Sequence, residues 1–485
     1  MSTFPPIAQY GLLSNCEQSC LVAPDGSVEW LCLPRPDSPS VFAALLDRGA
    51  GTFRFGPSTA QVPQQRRYVP GTMVLETTWQ TPTGWLTVHD LLVMGPARRD
   101  QRRADYYRAP ADTGAVGVLL RLATCIGGRV EVLVNCVPRF NYGTTGGQWS
   151  YRGDGYESMS VTPRDGGLPL DIAGNIQLGV LGPRCYGRTT ITEGQAAFVS
   201  LSWGEPGVPG SHEEAFGVLH RTIGFWRDWL STARVPDHPW RIYIDRSALT
   251  LKGLSYAPTG AIMAAATTSL PETPGGARNW DYRYTWIRDS AFMLRSLYRL
   301  GFDWEAVEYF AFILDAVTGG DLSRPEVLDK GVSDRGVFRQ HYDNSELDAS
   351  LLLLPIVGFL PPDDERVKAT VLAIANELTR DDLVLRYRVS ETDTGFEGDE
   401  GTFTICSFWL VTALALIGET ERAHALCQKL LSFAGPLLLY AEEIDTATGQ
   451  HLGNFPQAFT HLALIEAVSL LISLEAQEPG RAFAI

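Results

Sequence analysis

Residues 277 to 290 read ARNWDYRYTWIRDS, and these fourteen positions hold three arginines, two aspartates, two tryptophans and two tyrosines. Buried charges and ring hydroxyls each need a partner, so a plain core helix would not choose them. A surface loop has no need of the tryptophans. A sugar ring uses both kinds of residue, because its edge carries hydroxyls and its faces carry C–H bonds. Arg288 and Asp289 offer a donor beside an acceptor for neighbouring hydroxyls, and such charge-assisted bonds contribute ~1.5–3 kcal/mol each when sheltered from water. Tyr282 and Trp286 offer flat apolar surfaces to the ring faces. The same residues also suit a structural Arg–Asp pair in a helix cap, with the aromatics as packing between domains, and composition does not separate the two readings.

Two further stretches carry chemistry. LLYAEEIDTATGQHLGNFPQAFTHLALIEA, residues 438 to 467, places Glu442 and Glu443 after an apolar run and before a turn. Adjacent carboxylates among apolar neighbours favour the protonatable state that a general base needs to take a proton from water. An acidic loop at a helix end would look the same. DDLVLRYRVSETDTGFEGDEGTFTICSFWL, residues 381 to 410, flanks a tyrosine with Arg386 and Arg388. Glu397, Asp399 and Glu400 follow in a Gly-containing loop that reads equally as a pocket rim and as a solvated loop.

Other chemistries find no support. No GxGxxG, GxxxxGK[ST] or GxSxG pattern is present, so no cofactor is expected. The eight histidines show neither HxxxH nor HExxH spacing, and no metal site is expected. His89–Asp90 and His461 read as structural. The eight cysteines are scattered without a CxxC pair and mostly sit in apolar segments, which reads as buried reduced thiols. The net charge of −15 argues against nucleic acid and against an anionic membrane as partners. No apolar run is read as reaching the ~20 residues of a membrane span. The start, MSTFPPIAQYGLL, lacks a basic n-region, so a cytoplasmic protein is expected.

The elements that must position these residues change character along the chain. Up to about residue 212, runs such as SVEWLCLP, TMVLETTWQ and GRVEVLVNCVP alternate with period two between Gly, Pro and Asp turns, which predicts an antiparallel β-sandwich over residues 1–212. EEAFGVLHRTIGFWRDWLSTA then predicts a linker helix within 213–244. Residues 245–485 read as helical hairpins, with about eight helices starting near Ser255, Trp286, Asp303, Glu346, Asp364, Thr402, Glu419 and Pro456.

Taken together, RNWDYRYTWIRDS, LVLRYR, DEGTFTICSFWL and AEEID with GQHLGNFPQAFTHLAL resemble glycoside hydrolase family 15, the inverting family of glucoamylases and of the actinobacterial α,α-trehalases. PPIAQYGLLSNCEQSCLVAPDGSVEWLCLPRPDSPSVFAALLD and SALTLKGLSYAPTGAIMAAATTSLPETPGG are similar to the trehalase branch. The resemblance implies a β-sandwich followed by an (α/α)6 barrel of twelve helices. It implies hydrolysis of α,α-trehalose with inversion, or alternatively of an α-glucan. It gives Arg288 and Asp289 the grip on the terminal glucose, with Tyr282, Trp286 and Arg386 lining the same pocket. It makes Glu442 the general base.

One part of the family pattern is missing. The general acid belongs to a WE-containing stretch midway round the barrel, but here FAFILDAVTGGDLSRPEVLDKGV runs from an early helix to a late one. Trp304–Glu305, the only similar dipeptide, belongs to a different helix. About eight helices stand where twelve are expected, so the barrel is expected to be incomplete, shortened after about residue 317. The general acid is left unassigned, which implies a chain with impaired turnover or one that only binds its sugar. Apolar faces that lost their neighbours leave the chain open to association with a second copy.

Overall fold

The computed structural model describes residues 4–95, 115–204, 207–276, 278–286, 295–302, 331–340, 344–388 and 402–477. Among these residues, fifteen strands between Gly11 and Ser202 form two antiparallel layers joined by one long strand, Ala115–Val137. Its first half pairs with Gly84–Met94 and Ala196–Ser202 in one layer. Its second half pairs with Thr52–Pro57 and Arg184–Thr192 in the other. The crossing falls at Gly128, whose φ is +72° and whose added Cβ would lie 2.3 Å from the Thr83 carbonyl oxygen. Only glycine fits a left-handed residue with backbone this close.

The long strand also explains why the sequence there is apolar at nearly every position. Leu119 and Ala123 face the main core, while Val118, Leu120 and Leu122 join a second core with Ala215 and Leu219 of helix α1 (His212–Ser231). Both faces are thus covered. Between the two layers lies a wholly buried ion pair, with Arg121 Nε 2.7 Å from Asp90 Oδ1. The same guanidinium donates to the carbonyls of Phe53 at 2.7 Å and Gly26 at 2.6 Å, which belong to the opposite layer. Nearby, His89 Nε2 donates to Glu76 Oε2 at 3.2 Å.

Helix α1 starts where Ser211 accepts from the Glu214 amide and Glu214 accepts from the Gly210 amide, a reciprocal cap. Among the described residues, five further helices of more than ten residues follow: α2 (Arg241–Leu254), α3 (Glu365–Glu377), α4 (Thr404–Leu416), α5 (Thr420–Ser432) and α6 (Ala458–Gln477). The starts expected near Asp364, Thr402, Glu419 and Pro456 lie within two residues of α3 to α6. The helix expected from Ser255 is not there. Instead α2 ends at Leu254, and Ser255–Ile262 is a short hairpin turned through the Pro258 segment. Near Glu346 the chain makes only a 3-10 turn, Ala349–Leu352, and one helical turn, Leu353–Ile356. The helix starts expected at Trp286 and Asp303 fall at the edge of or outside the described residues, though 295–299 are helical.

The reading that no apolar run reaches membrane length needs correction. Helix α6 has twenty residues and a mean hydropathy of 1.5, enough by length and composition to cross a membrane. It is 78% buried inside the protein, packed against α2 and α4, because it is the central helix of the core. All eight cysteines are buried, and none is joined in a disulfide.

The sandwich and the helices share one continuous core that includes Tyr10, Trp30, Leu251 and Leu464. Polar bonds fix their relative position: Trp30 Nε1 donates to the Ala266 carbonyl at 2.8 Å, and Ser14 Oγ to that of Gly253 at 2.6 Å. Arg246 of α2 stacks 3.7 Å above the Tyr68 ring and donates to the Thr72 carbonyl.

Candidate active site

Glu442 lies just before a small three-stranded sheet of Thr402–Phe403, Glu443–Ile444 and His451–Leu452. Its main chain is held on both sides, since its amide donates to the Asn454 carbonyl and its carbonyl accepts from Thr404. The side chain is wholly buried. The turn that returns the chain passes directly over the carboxylate. Gly453 has φ +75°, and a Cβ added there would lie 2.7 Å from Glu442 Oε2. The Asn454 amide points at the same oxygen from 3.4 Å. Asn454 is itself fixed by Thr267, whose hydroxyl donates to its side chain at 2.9 Å. Glu443, also buried, enters the strand and pairs with Phe403 and Leu452.

The other oxygen of Glu442 meets the aromatic segment. Tyr282 OH donates to Glu442 Oε1 at 2.5 Å. Burial first, and the negative charge of Glu442 second, push the phenol far above its ordinary pKa, so Tyr282 is fixed as a donor. The segment that carries it has aromatic residues at every second position: Trp280, Tyr282, Tyr284 and Trp286. The carbonyls of Trp280, Tyr282 and Tyr284 accept from Ser269, Ala265 and Ala264, which lays the segment along residues 264–269. The intervening charged residues do a different job. Arg283 is buried, paired with Asp281 and bonded to the carbonyls of Pro36 at 3.2 Å and Ser38 at 2.8 Å in the sandwich. The rings and charges of this stretch therefore divide: Arg283 is a buried anchor to the sandwich, whereas Trp280, Tyr284 and Trp286 are exposed.

Trp280, Tyr284 and Trp286 are all exposed large rings, and Trp286 meets Tyr282 edge-to-face with centroids 6.2 Å apart. Arg386 stacks over Tyr387 and Phe403, and its positive charge acts on the Tyr282 phenol. Of the expected site residues, the structure therefore gathers Tyr282, Trp286, Arg386 and Glu442. Arg288, Asp289, Trp304–Glu305 and the Glu397, Asp399 and Glu400 loop lie outside the described residues.

Other residues at the site were not anticipated. Glu272 is buried, its charge bears on Tyr282, and it lies 3.8 Å from the Arg278 guanidinium. Arg278 also reaches the Tyr387 hydroxyl at 3.4 Å. Arg278 lies in the aromatic stretch already singled out, but nothing in the spacing of PETPGG marks Glu272 as its partner. Among the described residues, no cluster of three or more His, Cys, Asp or Glu side chains is placed to hold a metal.

Comparison with known proteins adds lineage to this geometry. The profile of the trehalase-like N-terminal domain matches residues 2–163. The profile of glycosyl hydrolases family 15 matches in two pieces, residues 240–323 and 321–469. The chain is 44% identical to a trehalase of Mycolicibacterium smegmatis over 614 aligned positions, covering 97% of this chain and 92% of that protein. It is 44% identical to a trehalase of Mycobacterium tuberculosis, covering 97% and 90%. A bacterial glucoamylase crystallised with acarbose superposes with a TM-score of 0.62 at 10% identity, covering 97% of this chain and 95% of that one, which is a likeness of fold. Since 614 positions are aligned against only 485 residues, at least 129 of them have no residue here. The break in the family match at residues 321–323 falls within the region where the sequence reading expected the shortened barrel.

Proposed function

Because this chain belongs to the glycosyl hydrolases of family 15, we propose that it takes α,α-trehalose by one terminal glucose and hydrolyses it with inversion, Glu442 acting as the base that activates water. The observation that carries this reading is the buried Glu442 carboxylate, held between the Tyr282 hydroxyl and the Gly453–Asn454 turn. A base must be aimed as well as ionised, and these contacts fix the carboxylate on two sides. Trp286 and Tyr282 would face the C–H surfaces of the glucose, Arg386 would line the pocket, and Arg288 with Asp289 would grip its hydroxyls.

Inversion makes a specific demand on the products. Water attacks one anomeric carbon from the face opposite the departing oxygen, so that ring leaves as β-glucose. The other ring keeps its configuration and leaves as α-glucose. Proton NMR of a fresh digest, run with protein in excess, should show the two anomers in equal amounts before mutarotation. Two equivalents of α-glucose would refute the inverting assignment.

The mechanism needs a second carboxyl group, ~6.5–9.5 Å from the first, to protonate the leaving oxygen. No residue of this chain is assigned that role. The positions missing relative to the mycobacterial trehalases, and the break in the family match, support a chain that lacks it and turns over slowly. Trehalose is preferred to an α-glucan on the identity to the two trehalases; maltose in a parallel digest tests that preference. Cytoplasmic residence is supported by eight buried cysteines that form no disulfide. Self-association is supported by the exposed apolar side chains Val357 and Phe359, and sedimentation velocity tests it.

A further inference from the structure

Two buried histidines, His451 and His461, accept hydrogen bonds from the two main-chain amides that precede Glu442. His461 Nε2 takes the Tyr440 amide at 3.3 Å, and His451 Nδ1 takes the Ala441 amide at 3.4 Å. We propose that both are positioning residues for hydrolysis: by fixing the chain at residues 440 and 441 they aim the Glu442 carboxylate. The proposal rests on the reading of Glu442 as the base and adds what holds that base in place.

Each ring is committed to this task from its far side. A main-chain N–H can only donate, so the ring nitrogen facing it must carry a lone pair. The proton of neutral His461 therefore sits on Nδ1, where Ser247 Oγ of α2 lies at 2.9 Å. The proton of His451 sits on Nε2 and goes to the Phe433 carbonyl at 2.8 Å, just after α5. Burial lowers the pKa of both rings, and the Arg246 guanidinium lowers that of His461 further, so the lone pairs stay available at neutral pH.

The remaining main-chain groups of the same two residues are engaged as well. The Tyr440 carbonyl accepts from the Gln457 amide at 2.9 Å, and that of Ala441 from Thr460 Oγ1 at 3.4 Å. The Tyr440 ring stacks on His451 with centroids 6.0 Å apart and meets His461 edge-on at 5.7 Å. Just upstream, Leu438 has φ +58°, a left-handed conformation that a leucine keeps only where its surroundings impose it. Helices α2 and α6 and the end of α5 thus all bear on a segment whose next side chain is the Glu442 carboxylate. Misplacing a reacting group by about 1 Å can cost on the order of a hundredfold in rate. A packing role alone would need neither two imidazoles nor a fixed tautomer in each.

His451→Leu and His461→Leu remove the acceptors, while His451→Asn and His461→Gln return an amide oxygen near the same places. Single-turnover glucose release from the whole chain, with trehalose affinity by titration, separates positioning from stability. Each leucine variant should slow release about tenfold or more with Kd within about twofold, and the amide variants should recover most of that loss. Unchanged release in both folded leucine variants would overturn the positioning role. So would equal losses in the leucine and amide variants, or a loss of affinity as large as the loss of rate. Glu442→Gln, measured alongside, keeps the two readings apart: if it leaves release unchanged, the base assignment falls, whereas a slowed Glu442→Gln beside unchanged leucine variants overturns the positioning alone. Should the leucine variants fail to fold, Ser247→Ala frees the tautomer of His461 with little change in volume, and unchanged release there overturns the proposal. Where release is too slow to time, hydrogen exchange at the Glu442 amide decides. Faster exchange in the leucine variants supports the proposal, and protection equal to wild type overturns it.

Discussion

The Tyr282 hydroxyl and the Glu442 carboxylate meet at 2.5 Å although 160 positions separate them in the chain. The aromatic segment and the candidate base therefore act as one unit, and substitution at either end should register in turnover. Glu442→Gln should lower kcat on trehalose at least about a hundredfold, the usual scale for losing a general base, with Kd nearly preserved. Tyr282→Phe should cost roughly tenfold or more, the worth of one hydrogen bond to a charged group. Single-turnover glucose release measures both. A Glu442→Gln protein within a few-fold of wild type would move the base elsewhere, to Glu443 or Glu400.

Asp289→Ala addresses the expected grip on the terminal glucose. Titration should show loss of glucose and trehalose binding, while calorimetry shows an unchanged melting curve. Undiminished affinity in a folded variant would take Asp289 out of the site.

The buried Arg121–Asp90 pair predicts a stability effect away from the sugar site. Asp90→Ala leaves a guanidinium uncompensated between the two layers and should destabilise by about 3–5 kcal/mol in urea unfolding. Replacing both partners, as Asp90→Leu with Arg121→Met, should cost far less, because no unpaired charge remains. If the double variant is no more stable than the single one, the loss comes from the arginine's bonds to Phe53 and Gly26 rather than from the stranded charge.

His461 makes the fold sensitive to acid. Burial first, with the charge of Arg246 second, holds its pKa at about 3. Its Nε2 accepts from the Tyr440 amide at 3.3 Å and Nδ1 lies 2.9 Å from Ser247 Oγ, which suits a neutral ring protonated at Nδ1. The unfolded imidazole titrates near ~6.5, so between about 6.5 and 3 the unfolded state binds a proton that the folded state refuses. Stability is full above that window and falls by ~1.4 kcal/mol per pH unit as pH drops through it. His461→Gln should flatten the pH dependence of unfolding by that amount. Equal slopes in the two proteins would place the acid sensitivity elsewhere, with His451 and His89, both also depressed by burial, next in line.

The missing positions predict slow chemistry. Acid assistance contributes ~10²–10⁴-fold, so this chain, purified alone, should hydrolyse trehalose at least about a hundredfold more slowly than a full-length relative. Inserting the missing barrel segment between Ala316 and Val332 should restore turnover. A rate of ~1–10³ per second from the unmodified chain would show that its acid lies among the residues present.

Local pattern alone was enough to read the strands and most of the later helices. Alternation in TMVLETTWQ follows from side chains leaving a strand on opposite faces, and the 3.6-residue spacing around α3 to α6 follows from one face seeking the core. The helix start expected near Ser255 fails for a local reason too: α2 has already ended at Leu254, and Pro258 sits in the turn of the hairpin that takes the place of a helix. Glu442, Tyr282, Trp286 and Arg386 stand out in the sequence by residue type and by family resemblance, but their meeting needs the tertiary structure. No spacing rule connects Tyr282 to Glu442, nor Arg283 to Pro36 and Ser38, because those contacts depend on how sandwich and helices pack. For the same reason the sequence does not show Glu272 beside Arg278, nor the Gly453 turn over the carboxylate. A sequence determines which short segments can hide their apolar faces. Which distant polar groups then share a dry pocket is decided only when those faces are buried together, since an isolated charge or hydroxyl there would be too costly to leave unpaired.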